Sequence, residues 1–333
     1  MLNMTIAMRN GAPIKSSGRS IVELMIALTI GLVMMLAISA LFVANKNSFR
    51  AGDDKSRLDE EGRVALNLLA FHVRMAGYGS LSNANSIKVA DDPDPANPGQ
   101  MLINNVTPSI CTNFSSETAC NTANAIRGCS GKLTTTGSAL PSPTAALGCT
   151  AGVSHSVIVR YVVDGDNANK NAGVPADCLG AALILDATKG VGGAGAYIAE
   201  NRFFVANNAS GVPELFCQGN GGTAAGAALV NPPQAIAENI EQMTIEYGLS
   251  ADERSSVASQ FVSAAVIEAT PASWDRVVLV RICLLARSAN DNVATQAQTY
   301  TNCQNTQVLA TDRRLRNVFS TTITLRSRAT GAI

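Results

Sequence analysis

The stretch Lys15-Ser16-Ser17-Gly18-Arg19-Ser20-Ile21-Val22-Glu23-Leu24-Met25, followed by an apolar run to Ala44, decides how the rest of the chain is read. Leu24–Ala44 is 21 residues without a charge, and only Thr29 and Ser39 are conventionally polar. As a helix it spans about 30 Å, the hydrocarbon thickness of a bilayer. No second run of this kind follows, so a single membrane anchor is expected. Residues 1–17 carry Arg9 and Lys15 but no long apolar stretch, and Ala44 is followed by Asn45-Lys46-Asn47 rather than a small-residue cleavage site. A secretory signal would place its apolar core before such a site. The run is therefore expected to be retained, with a cytoplasmic N-terminus and the remainder exported.

Working outward, the whole chain has 333 residues, 25 basic against 25 acidic side chains, and 15% charged residues. An average soluble domain has roughly 25%. The zero net charge gives no global basic excess for nucleic acid. The 47% hydrophobic content does not suit a disordered chain. The length allows a sizeable core.

The junction resembles that of type IV prepilins: a short basic leader ending in Gly, four residues, then Glu, then an unbroken apolar helix. Gly18 and Glu23 occupy those positions. The resemblance implies cleavage after Gly18 by a membrane prepilin peptidase and methylation of the new amine on Arg19. Arg19 departs from the Phe most members carry, and the run lacks the helix proline of many major pilins. Glu23 also has a physical rationale. A carboxylate at the edge of an apolar helix is costly unless partnered. The free amine of a neighbouring, axially offset helix would supply that partner and set the stagger between subunits.

Residues 45–79 contain no proline, and Val64, Leu68, Phe71 and Met75, flanked by Ala65, Leu69, His72 and Ala76, recur at helical spacing. An amphipathic helix is expected, ending at Gly77 and Gly79. Glu60 to Leu66 and Arg74 to Tyr78 resemble PilW-type minor pilins. Residues 80–155, rich in Ser, Thr, Asn, Pro and Gly, read as a loop-rich insertion. Strands are expected at Ser156–Val163, Ala182–Asp186 and Arg202–Val205. A hairpin through Asn207–Gly211 leads to Glu214–Cys217. Further strands are expected within Ile236–Leu249, at Trp274–Arg287 and at Phe319–Arg328. Arg281 to Arg287 and Asp312 to Arg326 again resemble PilW-type proteins. The expected fold is α+β and pilin-like: a long N-terminal helix packed on an antiparallel sheet with disulfide-stapled insertions. Its parts are a leader (1–18), a membrane or filament-core helix (19–45), an amphipathic half-helix (46–79) and a β-rich domain (80–333).

All eight cysteines lie beyond residue 110. An even count after the anchor suits disulfides in an oxidising compartment such as the periplasm. Eight cysteines permit about a hundred pairings. Local closures are expected: Cys111–Cys120, Cys129–Cys149, Cys178–Cys217 and Cys283–Cys303. Zinc is the weaker reading, because no C-x-x-C pair is present and the two histidines are His72 and His155. No metal or other cofactor is expected.

His72 falls on the apolar helix face and reads as a packed core residue, and no nucleophile motif accompanies His155. Gly190-Val191-Gly192-Gly193-Ala194-Gly195 satisfies G-x-G-x-x-G, but Arg202–Val205 leaves little room for the helix that would hold a pyrophosphate. Asp164–Asn169 lacks the glycine and distal glutamate of a calcium loop. Arg313, Arg314, Arg316, Arg326 and Arg328 form a basic tail without interleaved aromatics, so nucleic acid is not the expected partner. No enzyme activity or small-molecule substrate is expected.

The resemblance implies a minor pilin that initiates or caps a type IV pilus. Its partners would be other minor pilins, the major pilin, the prepilin peptidase and the inner-membrane assembly platform. The alternatives are a tip-displayed adhesin or DNA-binding module, and a type II secretion pseudopilin.

Overall fold

The computed structural model describes residues 18, 20–78, 125–134, 145–163, 170–187, 195–224, 227–251, 255 and 257–325. In chain order its elements are helix α1 (Ile21–Met75) and strands β1 (Ile126–Leu133), β2 (Cys149–Val163), β3 (Lys170–Asn171), β4 (Val174–Pro175), β5 (Leu185–Asp186), β6 (Ala196–Asn207), β7 (Pro213–Gly219), β8 (Gln234–Glu238), β9 (Ile240–Ser250) and β10 (Ala258–Val262). Helix α2 (Ala264–Glu268), a 3-10 turn (Pro271–Arg276), β11 (Val277–Arg287), β12 (Thr299–Thr301), β13 (Gln307–Leu309) and β14 (Arg316–Thr324) complete them. The chain divides into two compact units, Met1–Gly52 and Asp53–Ile333.

In the first unit every large apolar side chain of α1 from Ile21 to Phe49 is 53–79% exposed. Ser20 begins the helix: its carbonyl accepts the Leu24 N–H at 3.1 Å and its hydroxyl the Val22 N–H at 3.4 Å. Within the apolar run, Thr29 donates its hydroxyl to the Ile26 carbonyl at 2.9 Å, so this polar group is satisfied without water.

In the second unit α1 packs into a core shared with both main sheets. Its buried stripe is Leu58, Ala65, Leu69, Val73 and Ala76, each at most 4% exposed. The flanking row Ala65, Leu69, His72 and Ala76 is buried throughout, whereas in the row Val64, Leu68, Phe71 and Met75 only Met75 is buried and Val64 and Phe71 are 51% and 45% exposed. Both rows are apolar, so periodicity marks a broad arc, and side-chain size chooses within it. A Cβ on Gly62 would lie 2.2 Å from the Phe319 ring, so glycine is what lets the helix approach β14. The helix ends at Gly77, whose φ of 73° suits glycine. The Gly77 N–H donates to the Arg160 carbonyl (2.8 Å), and the Tyr78 carbonyl accepts from Val162 (2.7 Å).

Among the described residues the β structure has two main antiparallel sheets rather than one, with the two-stranded pairs β3–β4 and β12–β13 besides. The larger has the order β1-β2-β6-β7-β8, with β5 on β6, and the smaller β10-β9-β11-β14. They meet along β2 and β9: the Met243 N–H donates to Ser154 Oγ (3.0 Å) and the Gln242 amide to the Val153 carbonyl (2.8 Å). Period-2 alternation identifies strands but not their partners, so the sequence did not divide them. The hairpin β6–β7 turns through Asn208, whose side-chain oxygen accepts the N–H groups of Ser210 (2.9 Å) and Val212 (3.0 Å).

Several boundaries differ from expectation. The insertion at 80–155 contains regular structure: all of β1 and the first residues of β2. Strand β5 is two residues, not the whole of Ala182–Asp186, and β6 is longer at both ends than Arg202–Val205. Trp274 stands in the 3-10 turn before β11, and β14 begins at Arg316 rather than Phe319. Strand β11 is buried on both faces at Leu284 and Leu285, and Cys283–Cys303 ties the turn of hairpin β12–β13 to it.

Candidate functional site

Gly18 is exposed, and Glu23 lies in the first turn of α1. Arg19 is outside the described residues. Ser20 and Glu23 have the S-x-x-E spacing of a capping box, a local signal that explains why the helix starts at Ile21. The carboxylate also sits favourably at the positive end of the helix dipole. Among the described residues no cation forms an ion pair with Glu23. A continuous belt of large exposed apolar side chains thus follows one carboxylate without an internal counter-charge. Monomeric proteins in water rarely expose more than a few hundred Å² of contiguous apolar surface. The belt therefore belongs against lipid or other apolar helices, and the helix is long and apolar enough to cross a membrane.

Among the described residues, three disulfides hold the folded unit: Cys129–Cys149, Cys178–Cys217 and Cys283–Cys303, with Cα separations of 5.6, 6.6 and 5.7 Å. They join β1 to β2, the loop after β4 to β7, and β11 to the β12–β13 turn. Cys111 and Cys120 lie outside the described residues.

Two buried polar constellations went unseen in the sequence. In the first, Glu268 of α2 accepts from Arg127 of β1 at both carboxylate oxygens (2.9 Å each), from the Leu147 N–H (2.9 Å) and from the Trp274 indole (2.7 Å). Arg127, wholly buried, also donates to the Ala145 carbonyl at 2.8 Å. A buried pair whose remaining groups are all bonded is tolerated, whereas either partner alone would be strongly destabilising. This clamp fixes β1 and residues 145–147 to the elements before β11. It explains why a segment with an arginine, a lysine and two glycines is a buried strand.

In the second, the Tyr161 hydroxyl of β2 donates to His72 Nδ1 (2.8 Å), and the Asn201 amide of β6 points at both, 3.3 Å from Nδ1 and 3.2 Å from the hydroxyl. The Cys178 N–H donates to Asn201 Oδ1 (3.0 Å), which sets the amide orientation and leaves its NH₂ facing His72. His72 Nδ1 is therefore an acceptor and its proton is on Nε2. Burial lowers the His72 pKa to about 4. Burial likewise pushes the Tyr161 hydroxyl well above the ordinary phenol range. A neutral imidazole bonded only to tyrosine and asparagine beside the Phe203 ring (5.2 Å between centroids) is a packed core histidine.

The other candidates are placed as follows. Gly195 leads directly into β6, so no helix N-terminus follows the glycine run. Residues 164–169 lie outside the described residues, as do Arg326 and Arg328. Arg316 bonds Glu241 (2.7 Å) and Asp312 (2.6 Å), Arg314 bonds the Ser288 and Ala289 carbonyls, and Arg313 bonds Asn292. The basic tail is largely committed within the fold. Burial lowers the pKa of His155, whose Nδ1 meets the Ile245 N–H at 3.0 Å.

An exposed apolar helix long enough to cross a membrane, followed in the chain by a disulfide-bonded unit of antiparallel sheets, suggests a single-pass membrane anchor. Residues 202–327 match the family model described as Type IV Pilus-assembly protein W. The matched segment runs from within β6 to just past β14, a little over a third of the chain, and supports a PilW-type type IV pilus protein with a role in pilus assembly. No curated protein and no solved structure matches the chain.

Proposed function

We propose that this chain is a minor pilin that initiates or caps a type IV pilus together with other minor pilins and the major pilin. In this reading a prepilin peptidase cuts after Gly18 and methylates the Arg19 amine. The apolar half of α1 waits in the inner membrane with the folded unit in the periplasm. On entry to the filament, Glu23 neutralises the amine of a neighbouring helix. The protein acts by assembly, not by catalysis.

The observation that supports this best is a conjunction. The apolar belt of α1 carries a carboxylate with no described counter-charge, and the C-terminal part of the same chain matches a pilus-assembly family. Helix capping accounts for a carboxylate in the first turn, and a neighbouring helix's amine would supply the counter-charge that capping leaves out.

Replacing Glu23 by Val in the bacterium that carries the gene is expected to leave the chain in the membrane but remove it from sheared pili. Its recovery in pili at the wild-type amount would refute the pairing. Gly18→Val is expected to leave the leader attached, read as a slower-migrating band. Unchanged mobility would refute the cleavage site.

A further inference from the structure

Among the described residues the edge strands of the two main sheets are β1, β8 and the two-residue β5 in the larger and β10 and β14 in the smaller. The ladders of β1, β8 and β10 with their neighbours each contain a register shift, while β14 runs nine residues against β11 without one. Bulges, prolines, charged side chains and short length are devices that stop a sheet edge from recruiting another strand. Arg316-Asn317-Val318-Phe319-Ser320-Thr321-Thr322-Ile323-Thr324 has one of them, the charge of Arg316 at its first position, and that charge is paired with Glu241 and Asp312.

The ladder shows which backbone groups this edge presents. The Leu325 N–H donates to the Val278 carbonyl (3.0 Å), so the odd-numbered residues of β14 direct their N–H and C=O at β11 and the even-numbered ones direct theirs outward. Val318 agrees, since its N–H is taken by the Asn317 side chain (2.9 Å) rather than by a strand. Beyond it, the N–H and C=O groups of Ser320, Thr322 and Thr324 have no partner among the described residues. Their side chains are exposed, and β-branched threonine suits a strand that is paired on both sides. At the Val318 end a cleft of about 240 Å³ separates β12 from β14, lined by Tyr300, Thr301, Arg314, Arg316 and Val318 among others. Its far wall is hairpin β12–β13, held to the sheet by Cys283–Cys303 and by Gln304 to Thr244 (3.1 Å).

We propose that the β14 edge is a strand-addition site, taking an extended segment of a neighbouring pilus subunit as the fifth strand of the smaller sheet and leading it along the cleft. The partner class rests on the pilus-assembly reading, whose family match includes β14. The chemistry of the segment rests on the edge itself. Main-chain bonds supply the attachment, and the Ser/Thr rim and polar cleft fit a polar, β-branched strand rather than an apolar helix.

The test uses the full chain in its own bacterium. A photo-crosslinking phenylalanine analogue is placed at position 322, with Gln260 on β10 as the control position. Irradiation is expected to join position 322, but not 260, to another pilus subunit identified by mass spectrometry. No adduct, or an adduct only with a second copy of this chain, overturns the proposal. In parallel, Thr322→Pro removes one outward N–H, whereas Thr322→Val keeps it. Thr322→Pro is expected to reduce surface pili about tenfold, the equilibrium effect of losing one or two main-chain hydrogen bonds, and Thr322→Val to leave them unchanged. Wild-type piliation in Thr322→Pro overturns the proposal. If proline lowers the amount of chain, the crosslink decides. Deleting the gene without loss of pili would refute the pilus-assembly reading instead, and the adduct at position 322 distinguishes the two failures.

Discussion

The stability of the folded unit is expected to fall in mild acid chiefly through His72. The groups around its ring are the Tyr161 hydroxyl, the Asn201 amide and the Phe71 and Phe203 rings, none of them anionic. Asp177 acts on Tyr161, and its own carboxylate is taken up by the N–H groups of Leu179, Ala181 and Gly221. The His72 pKa is lowered from 6.5 to about 4 by burial, so the unfolded chain binds this proton first as the pH falls. Stability is therefore full above about pH 6.5 and is lost as the pH drops toward 4, below which both states are protonated. The whole loss is about 3 kcal/mol, and about 2 kcal/mol of it has gone by pH 5. The assay is urea unfolding of the full chain in detergent micelles from pH 7.5 to 4.5. It is followed by the fluorescence of Trp274, the single tryptophan, which is 1% exposed. His155, also lowered by burial, adds a slope of the same sign, so His72→Leu must be run beside the wild type. The difference between the two curves isolates His72. Parallel curves, or an NMR titration placing His72 near its ordinary value, would refute the reasoning.

Three further outcomes are expected. Glu268→Ala leaves Arg127 buried and unpaired and should cost about 3–5 kcal/mol in urea unfolding, while the double variant Arg127→Met with Glu268→Leu should recover most of it; equal losses in the two would contradict the clamp. Gly62→Ala gains about 1 kcal/mol of helix propensity but drives a methyl group into the Phe319 ring, an overpacking cost of about 1–3 kcal/mol, so the net change should be a lowered melting temperature. Among the described disulfides, Cys178–Cys217 closes the longest loop, with a sequence separation of 39 against 20 for the other two. Replacing its cysteines with alanine should cost about 4 kcal/mol by loop entropy, about half a kcal/mol more than either of the others, measured as urea midpoints.

Legibility differed from element to element for physical reasons. The apolar run of α1, its continuation toward Met75, the hairpin at Asn208 and the β11 alternation were readable because each depends on residues close together in the chain. The three described disulfides were nameable for the same reason, being local closures. Strand β1 was not readable. Its burial depends on Arg127 meeting Glu268, 141 residues away, and on packing beneath Tyr247, whose hydroxyl lies 2.2 Å from where a Cβ on Gly128 would stand. The buried face of α1 was readable only as a broad apolar arc, because Val64 and Ala65 are both apolar while Val64 is exposed and Ala65 buried.

For the candidate site the division is similar. Gly18, Glu23 and the apolar belt are linear features, and the S-x-x-E cap at Ser20 was present in the sequence. The β14 edge was not visible, because alternation along Phe319–Thr324 does not reveal whether one neighbour or two will pair with the strand.

The sequence by itself determined where the chain can meet a membrane, where its long helix runs and which segments alternate as strands. These follow from composition and short-range periodicity, which act over a few residues. Only the tertiary structure decided which helix row is buried, how the strands divide into two sheets, which distant charges neutralise each other and which edge stays open. Those outcomes depend on close packing and on pairing buried polar groups across more than a hundred residues, and no local pattern encodes such pairings.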